Sequence, residues 1–126
     1  MIDHVSIAVR DLARCGRFYE ALLAPLGYRR MVERPGTIGF GKKYPEFWLN
    51  ERRVMTPIDA DTGTHVCLRA PSVDAVQAFH AAALQNGGRS DGAPGPRAGT
   101  MAGYYAAFVR DPEGNKIEAA TFTPQS

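Results

Sequence analysis

Long apolar runs, cysteine pairs and a strong excess of either charge are all missing from this 126-residue chain. No stretch approaches the roughly 20 apolar residues that a bilayer-crossing helix needs, so no membrane partner is expected. The start of the chain lacks the basic residues and apolar core of a signal peptide, which makes the cytoplasm the expected location. Only two cysteines occur, Cys15 and Cys67, and neither belongs to a CxxC pair. Both read as reduced packing residues rather than as a disulfide or a thiol redox motif. The formal net charge is only +2, and Lys and Arg are scattered rather than gathered beside aromatics, so nucleic acid is not an expected partner. With 44% hydrophobic and 22% charged residues, the chain has the composition of one globular domain over residues 1–126 that needs no staples to fold.

What is present is a repeat. His4 stands in Asp3-His4-Val5-Ser6-Ile7, and His65 stands in Thr64-His65-Val66-Cys67-Leu68. Sliding the sequence by 61 positions (65 − 4) also pairs Phe18 with Phe79, Leu23 with Leu84 and Gly27 with Gly88. Duplicated modules related by an approximate twofold axis bring equivalent positions together, so two distant histidines can converge on one site.

Ile2 to Val9 alternates as a half-buried strand, with Val5, Ile7 and Val9 on one face and His4, Ser6 and Ala8 on the other. Asp11 caps a helix from Leu12 to about Leu26, and Gly27 ends it. Strands follow at about Tyr28 to Glu33, Thr37 to Gly41 and Glu46 to Asn50. Residues 51–62 are polar and aperiodic and read as a linker between module 1, about 1–50, and module 2, about 63–126. The second module repeats the order. A strand at Gly63 to Ala70 precedes a helix capped by Ser72, with Val73, Val76, Phe79, Ala83 and Leu84 inward. A strand near Arg89 to Gly92 leads into a Pro- and Gly-rich loop from Ala93 to Gly103, then a hairpin of Tyr104 to Arg110 and Lys116 to Phe122. Each module is βαβββ.

The two histidines, the tandem order and the run from Gly103 through Asp111-Pro112-Glu113-Gly114-Asn115-Lys116-Ile117-Glu118 resemble the vicinal oxygen chelate superfamily. Glyoxalase I, extradiol dioxygenases and the fosfomycin and bleomycin resistance proteins belong to it. The resemblance covers essentially the whole chain, and its most specific part is the closing hairpin. It implies an α+β fold in which tandem βαβββ modules form an open barrel-like mixed sheet around a cleft, helices outside. It implies that His4, His65 and Glu118 hold a divalent metal ion, of which Fe, Mn, Zn and Ni are all chemically acceptable. It also implies a small-molecule substrate chelated through adjacent oxygens and, by analogy with similar proteins, a homodimer of intact or module-exchanged chains.

Two departures stand out. The family's fourth ligand falls in Glu46-Phe47-Trp48-Leu49-Asn50, where alternation turns Trp48 to the cleft, and tryptophan does not ligate a metal in the ordinary way. A strand shifted by two would offer Glu46 or Asn50 instead. The chain also has Thr100-Met101-Ala102 where many relatives carry Tyr-His-Pro. Glyoxalase I chemistry thereby loses support. Trp48 becomes a stacking wall for a flat substrate or a cavity filler. If the hairpin turn pairs Arg110 with Asn115, Tyr105 shares the face of Glu118 and donates a hydrogen bond in catalysis; a one-residue change of register substitutes Tyr104. Arg69 and Arg97 are candidates for an anionic substrate group. The expected function is a metal-dependent enzyme of the glyoxalase and dioxygenase type, and the alternative is a non-catalytic, bleomycin-resistance-like binder of small molecules or antibiotics.

Overall fold

The computed structural model describes residues 1–98 and 102–123. The expected substitution at Thr100 and Met101 lies outside the described residues. In order, the elements are β1 (Val5–Val9), α1 (Leu12–Leu23), a short 3-10 turn (Ala24–Leu26), β2 (Arg29–Arg34), β3 (Thr37–Gly41), β4 (Pro45–Glu51), β5 (Val66–Arg69), α2 (Val73–Gln85), β6 (Arg89–Pro96), β7 (Tyr104–Arg110) and β8 (Lys116–Phe122). The fold is α+β. It has two four-stranded mixed sheets, ordered β1-β4-β3-β2 and β5-β8-β7-β6, and no closed barrel.

Local chemistry explains the boundaries. The Asp11 side chain accepts from the Arg14 amide at 3.1 Å, and Ser72 Oγ accepts from the Ala75 amide at 3.1 Å, so both helices begin at the expected caps. Pro25 has no N–H to continue the α ladder, so α1 gives way to the 3-10 turn before Gly27, which takes φ 88°. β1 begins three residues later than the alternation suggests, because its pairing with β4 starts at Val5–Phe47. β5 is shortened in the same way, pairing with β8 from Val66–Ile117. Each histidine therefore stands just before its strand. β6 runs to Pro96, beyond the expected end at Gly92; register breaks on either side of Gly92 absorb the irregularity that hides the strand in the sequence.

One apolar layer joins the halves. Val9, Phe47, Leu49, Phe40, Leu68, Val109, Ile117 and Ala119 meet Phe18, Tyr19, Leu22, Val76 and Phe79 of the helices, all buried. Two expectations on packing fail. Leu84 is 48% exposed on the outer side of α2, and Cys67 is exposed on the strand face away from the helices, whereas Cys15 is fully buried as expected.

The halves are also tied by the turn between β7 and β8. The Asp111 carboxylate is buried and accepts from Tyr19 Oη at 2.6 Å, from the amides of Glu113 and Asn115 at 2.9 Å each, and from Asn115 Nδ2 at 2.9 Å. Asn115 Nδ2 also donates to the Ala8 carbonyl at 3.0 Å. Glu113 receives the Arg10 amide at 2.6 Å and Arg10 Nε at 2.7 Å. Gly114 takes φ 100°, and a Cβ there would stand 1.9 Å from the Ile58 carbonyl oxygen. The most family-specific stretch of sequence is thus a clasp that docks the second hairpin onto β1 and α1.

Candidate functional site

The face of each sheet turned away from the helices carries the polar candidates. On β4, Phe47 and Leu49 are fully buried in the core, which leaves Trp48 half-buried on the opposite face. On β8, Ile117 and Ala119 pack inward, and Glu118 faces the same side as Cys67 of β5. The register states the duplication in physical terms. Ser6 pairs with Trp48 in the first half as Cys67 pairs with Glu118 in the second, so Trp48 occupies the place equivalent to Glu118. The next neighbours are exchanged too: Gly39 faces Trp48, and Phe108 faces Glu118. A Cβ on Gly39 would stand 2.9 Å from the indole, so glycine is what lets Trp48 lie flat on its sheet.

Glu118 is only 2% exposed and is held from two sides. Oε1 lies 3.0 Å from Nε2 of His65, and Oε2 accepts from the Tyr104 hydroxyl. Burial and the Glu118 carboxylate push the Tyr104 phenol well above its ordinary value, so it keeps its proton. The Cys67 thiol is tucked beside Glu118 and Tyr104, and burial, then the carboxylate, push it up to about 12. The ring of Phe108 stands 5.9 Å from that of His65.

Tyr105 is not where the sequence suggests. Asp111 N donates to the Asn115 carbonyl at 2.9 Å, which closes the turn inside the expected pair and sets Arg110 opposite Lys116. That one-residue difference sends Tyr105 to the helix side, where Gln77 Nε2 donates to its hydroxyl at 3.1 Å, and brings Tyr104 to Glu118. Arg97 is engaged in structure, donating to the Ala93 and Ala106 carbonyls at 3.0 Å each with its guanidinium 5.0 Å from the Phe108 ring centroid. Arg69 lies on the site face, its guanidinium 4.5 Å from the Phe122 ring centroid. Cys67, expected in the core, and Phe108, given no role by the sequence, also face the site; alternation from His65 signals the first, and only the β7–β8 register signals the second.

His4 and His65 both line a groove of about 380 Å³ that runs along β1 and β5. His4 is turned to Asp3, with Nδ1 and Oδ2 3.1 Å apart and the side chain 53% exposed. Two atoms each ~2.1 Å from one ion and about 90° apart are separated by about 3 Å, the spacing of the His65 and Glu118 atoms. Those two residues fit adjacent positions on a divalent ion. Among the described residues no group of three His, Cys, Asp or Glu stands ready to hold one, so His4, whose Nε2 is left open by the Nδ1–Asp3 contact, is a ligand only if its ring moves toward His65 and Glu118.

The fold is that of a class whose members bind small molecules and commonly use divalent metals. Residues 1–119 match the Glyoxalase/Bleomycin resistance protein/Dioxygenase superfamily, and the chain belongs to that superfamily. A glyoxalase/bleomycin resistance protein from Albidiferax ferrireducens T118 is similar at 33% identity and TM-score 0.84, over 94% of this chain and 97% of that one. A glyoxalase/bleomycin resistance protein/dioxygenase family enzyme from Burkholderia phytofirmans PsJN shares the fold at 17% identity and TM-score 0.73, with 97% and 98% covered. The fosfomycin resistance protein FosX from Mesorhizobium loti does so at 17% identity and TM-score 0.70, with 98% and 92% covered. No curated protein sequence matches the chain. No described helix is long and apolar enough to cross a membrane.

Proposed function

We propose that this chain is a metal-dependent enzyme whose small substrate presents adjacent oxygens to the groove between β1 and β5. The observation that carries the proposal is the buried Glu118 carboxylate set 3.0 Å from His65 Nε2, the separation of neighbouring ligands. In this reading His65 and Glu118 would hold the ion, and His4 would complete the set through Nε2 while Asp3 keeps Nδ1. A divalent ion bound there supplies Lewis acidity toward paired substrate oxygens. The chain's own residues do the rest. Tyr104 keeps its proton and fixes the Glu118 carboxylate through Oε2, so Oε1 points to one place. Phe108 packs beside the imidazole and limits its rotation. Trp48 offers a flat wall on the first half.

The test is elemental analysis of tag-free protein after loading with Fe(II), Mn(II), Zn(II) or Ni(II). Near-stoichiometric metal is expected for the wild type. His65→Ala and Glu118→Gln should lose it, and His4→Ala should bind more weakly. No metal in the wild type under any loading would sink the enzyme reading. A second reading, a binder without turnover, draws on Trp48 standing in the place equivalent to Glu118. Its signature is an aromatic ligand that quenches Trp48, the chain's single tryptophan, without any metal requirement.

A further inference from the structure

Arg69 differs from the other cations near the site. Lys116 is 3.3 Å from Asp91, Arg110 Nε is 2.9 Å from the same carboxylate, and Arg97 is tied to two carbonyls. Arg69 lines the groove yet makes no ion pair among the described residues; its guanidinium rests on the Phe122 ring. A guanidinium lying on an aromatic face keeps its N–H edge outward, the geometry that grips a planar anion with two parallel hydrogen bonds. Stacking also removes much of the rotamer entropy that such a contact otherwise costs.

Placement fixes what the anion belongs to. His65, Cys67 and Arg69 alternate onto one face of the β5 segment, and Arg69 pairs with Ala120, two residues beyond the Cys67–Glu118 pair. Its head leans further still, over Phe122. Phe122 lies four steps along β8 from Glu118, ~13 Å at the usual rise. An acid as small as pyruvate cannot reach both ends, whereas a longer one can. Between them the same face carries Cys67 and Ala120. Its other wall carries Asp3 and Glu46, so the local charge suits a monoanion better than a dianion.

We propose that Arg69 and Phe122 form a carboxylate subsite, and that the ligand of this groove is an elongated organic acid bound by its carboxylate at Arg69, with its opposite end toward His65 and Glu118. This names the substrate class within the function proposed above and rests on it only for what happens at the far end.

The probes are octanoate, octanamide, octyl phosphate and propanoate, titrated calorimetrically into the full chain at low salt. Octanoate should bind about tenfold or more tightly than octanamide, and more tightly than octyl phosphate or propanoate. Arg69→Gln should abolish the preference for acid over amide, Arg69→Lys should retain part of it, and Arg17→Gln, an exposed α1 change, should leave it intact. Equal binding of acid and amide, preference for the phosphate, an undiminished preference in Arg69→Gln, or no octanoate binding at millimolar concentration would each overturn the proposal. Metal uptake is measured separately, so a chain that binds octanoate through Arg69 but takes no metal refutes the enzyme reading and leaves the acid subsite standing.

Discussion

Replacing Asp111 by alanine should cut the clasp that holds the Glu118 hairpin against β1. The carboxylate satisfies four donors, and its loss strands the Tyr19 hydroxyl, whose residue is fully buried, together with the amides of Glu113 and Asn115. Each buried donor left unsatisfied costs about 1–3 kcal/mol, and relief from burying a charge offsets part of the sum, so the net loss should be about 3–5 kcal/mol. Against the roughly 5–15 kcal/mol that stabilises a domain, this is a large fraction, equivalent to a fall of roughly 10–20 °C in Tm. Tyr19→Phe removes one donor and leaves the carboxylate three, so its loss should be about 1 kcal/mol. Burial, partly opposed by these hydrogen bonds, raises the Asp111 carboxyl above its ordinary 3.8. A raised carboxyl pKa means the fold takes up a proton more readily than the unfolded chain. Wild-type stability from this group is therefore fully present below pH 3.8 and is lost as pH rises through the raised value. The gap between wild type and Asp111→Ala should accordingly widen toward acid. Urea denaturation followed by far-UV circular dichroism and Trp48 emission measures all three quantities. An alanine variant within about 1 kcal/mol of wild type, or Tyr19→Phe as harmful as Asp111→Ala, would refute the clasp.

Cys67 is exposed but its thiol is pushed up to about 12 from 9.0 by burial and Glu118, which leaves little thiolate at pH 8. Iodoacetamide at that pH should therefore alkylate it roughly several hundredfold more slowly than a free thiol, since only the thiolate reacts. Mass spectrometry of a time course measures this; Glu118→Gln should speed the reaction, and a rate equal to that of free cysteine would mean the carboxylate does not govern the thiol. Protonated Cys67 contributes stability below pH 9 that is lost as pH rises toward 12, because the raised pKa favours the neutral thiol in the fold. Gly39→Ala should drive its Cβ into the indole, which must tilt off the sheet. A shift in the Trp48 emission maximum with little change in circular dichroism is the expected result, and an unchanged spectrum would show that the ring does not lie on Gly39.

The sequence by itself determined the elements and their repeat, because those depend on local chemistry: the caps at Asp11 and Ser72, the break at Gly27, and the alternation that sends Phe47 and Leu49 inward and Trp48 outward. It also marked the histidines as equivalent and the hairpin as special. Tertiary structure decided what these features mean. Which tyrosine meets Glu118 turns on a single residue of register, and that register is set by a five-residue turn whose carboxylate is anchored by Tyr19, 92 positions away. No local pattern encodes a bond of that range. Cys67 looked like core filler because an apolar run hides which of its members face inward until the helices choose a side. His4 and His65 are equivalent in sequence but not in surroundings, since Glu118 stands beside His65, whereas in the first half the matching strand position is Trp48 and His4 turns to Asp3. The repeat supplied two like half-sites, and the packing of one carboxylate and one indole made them different.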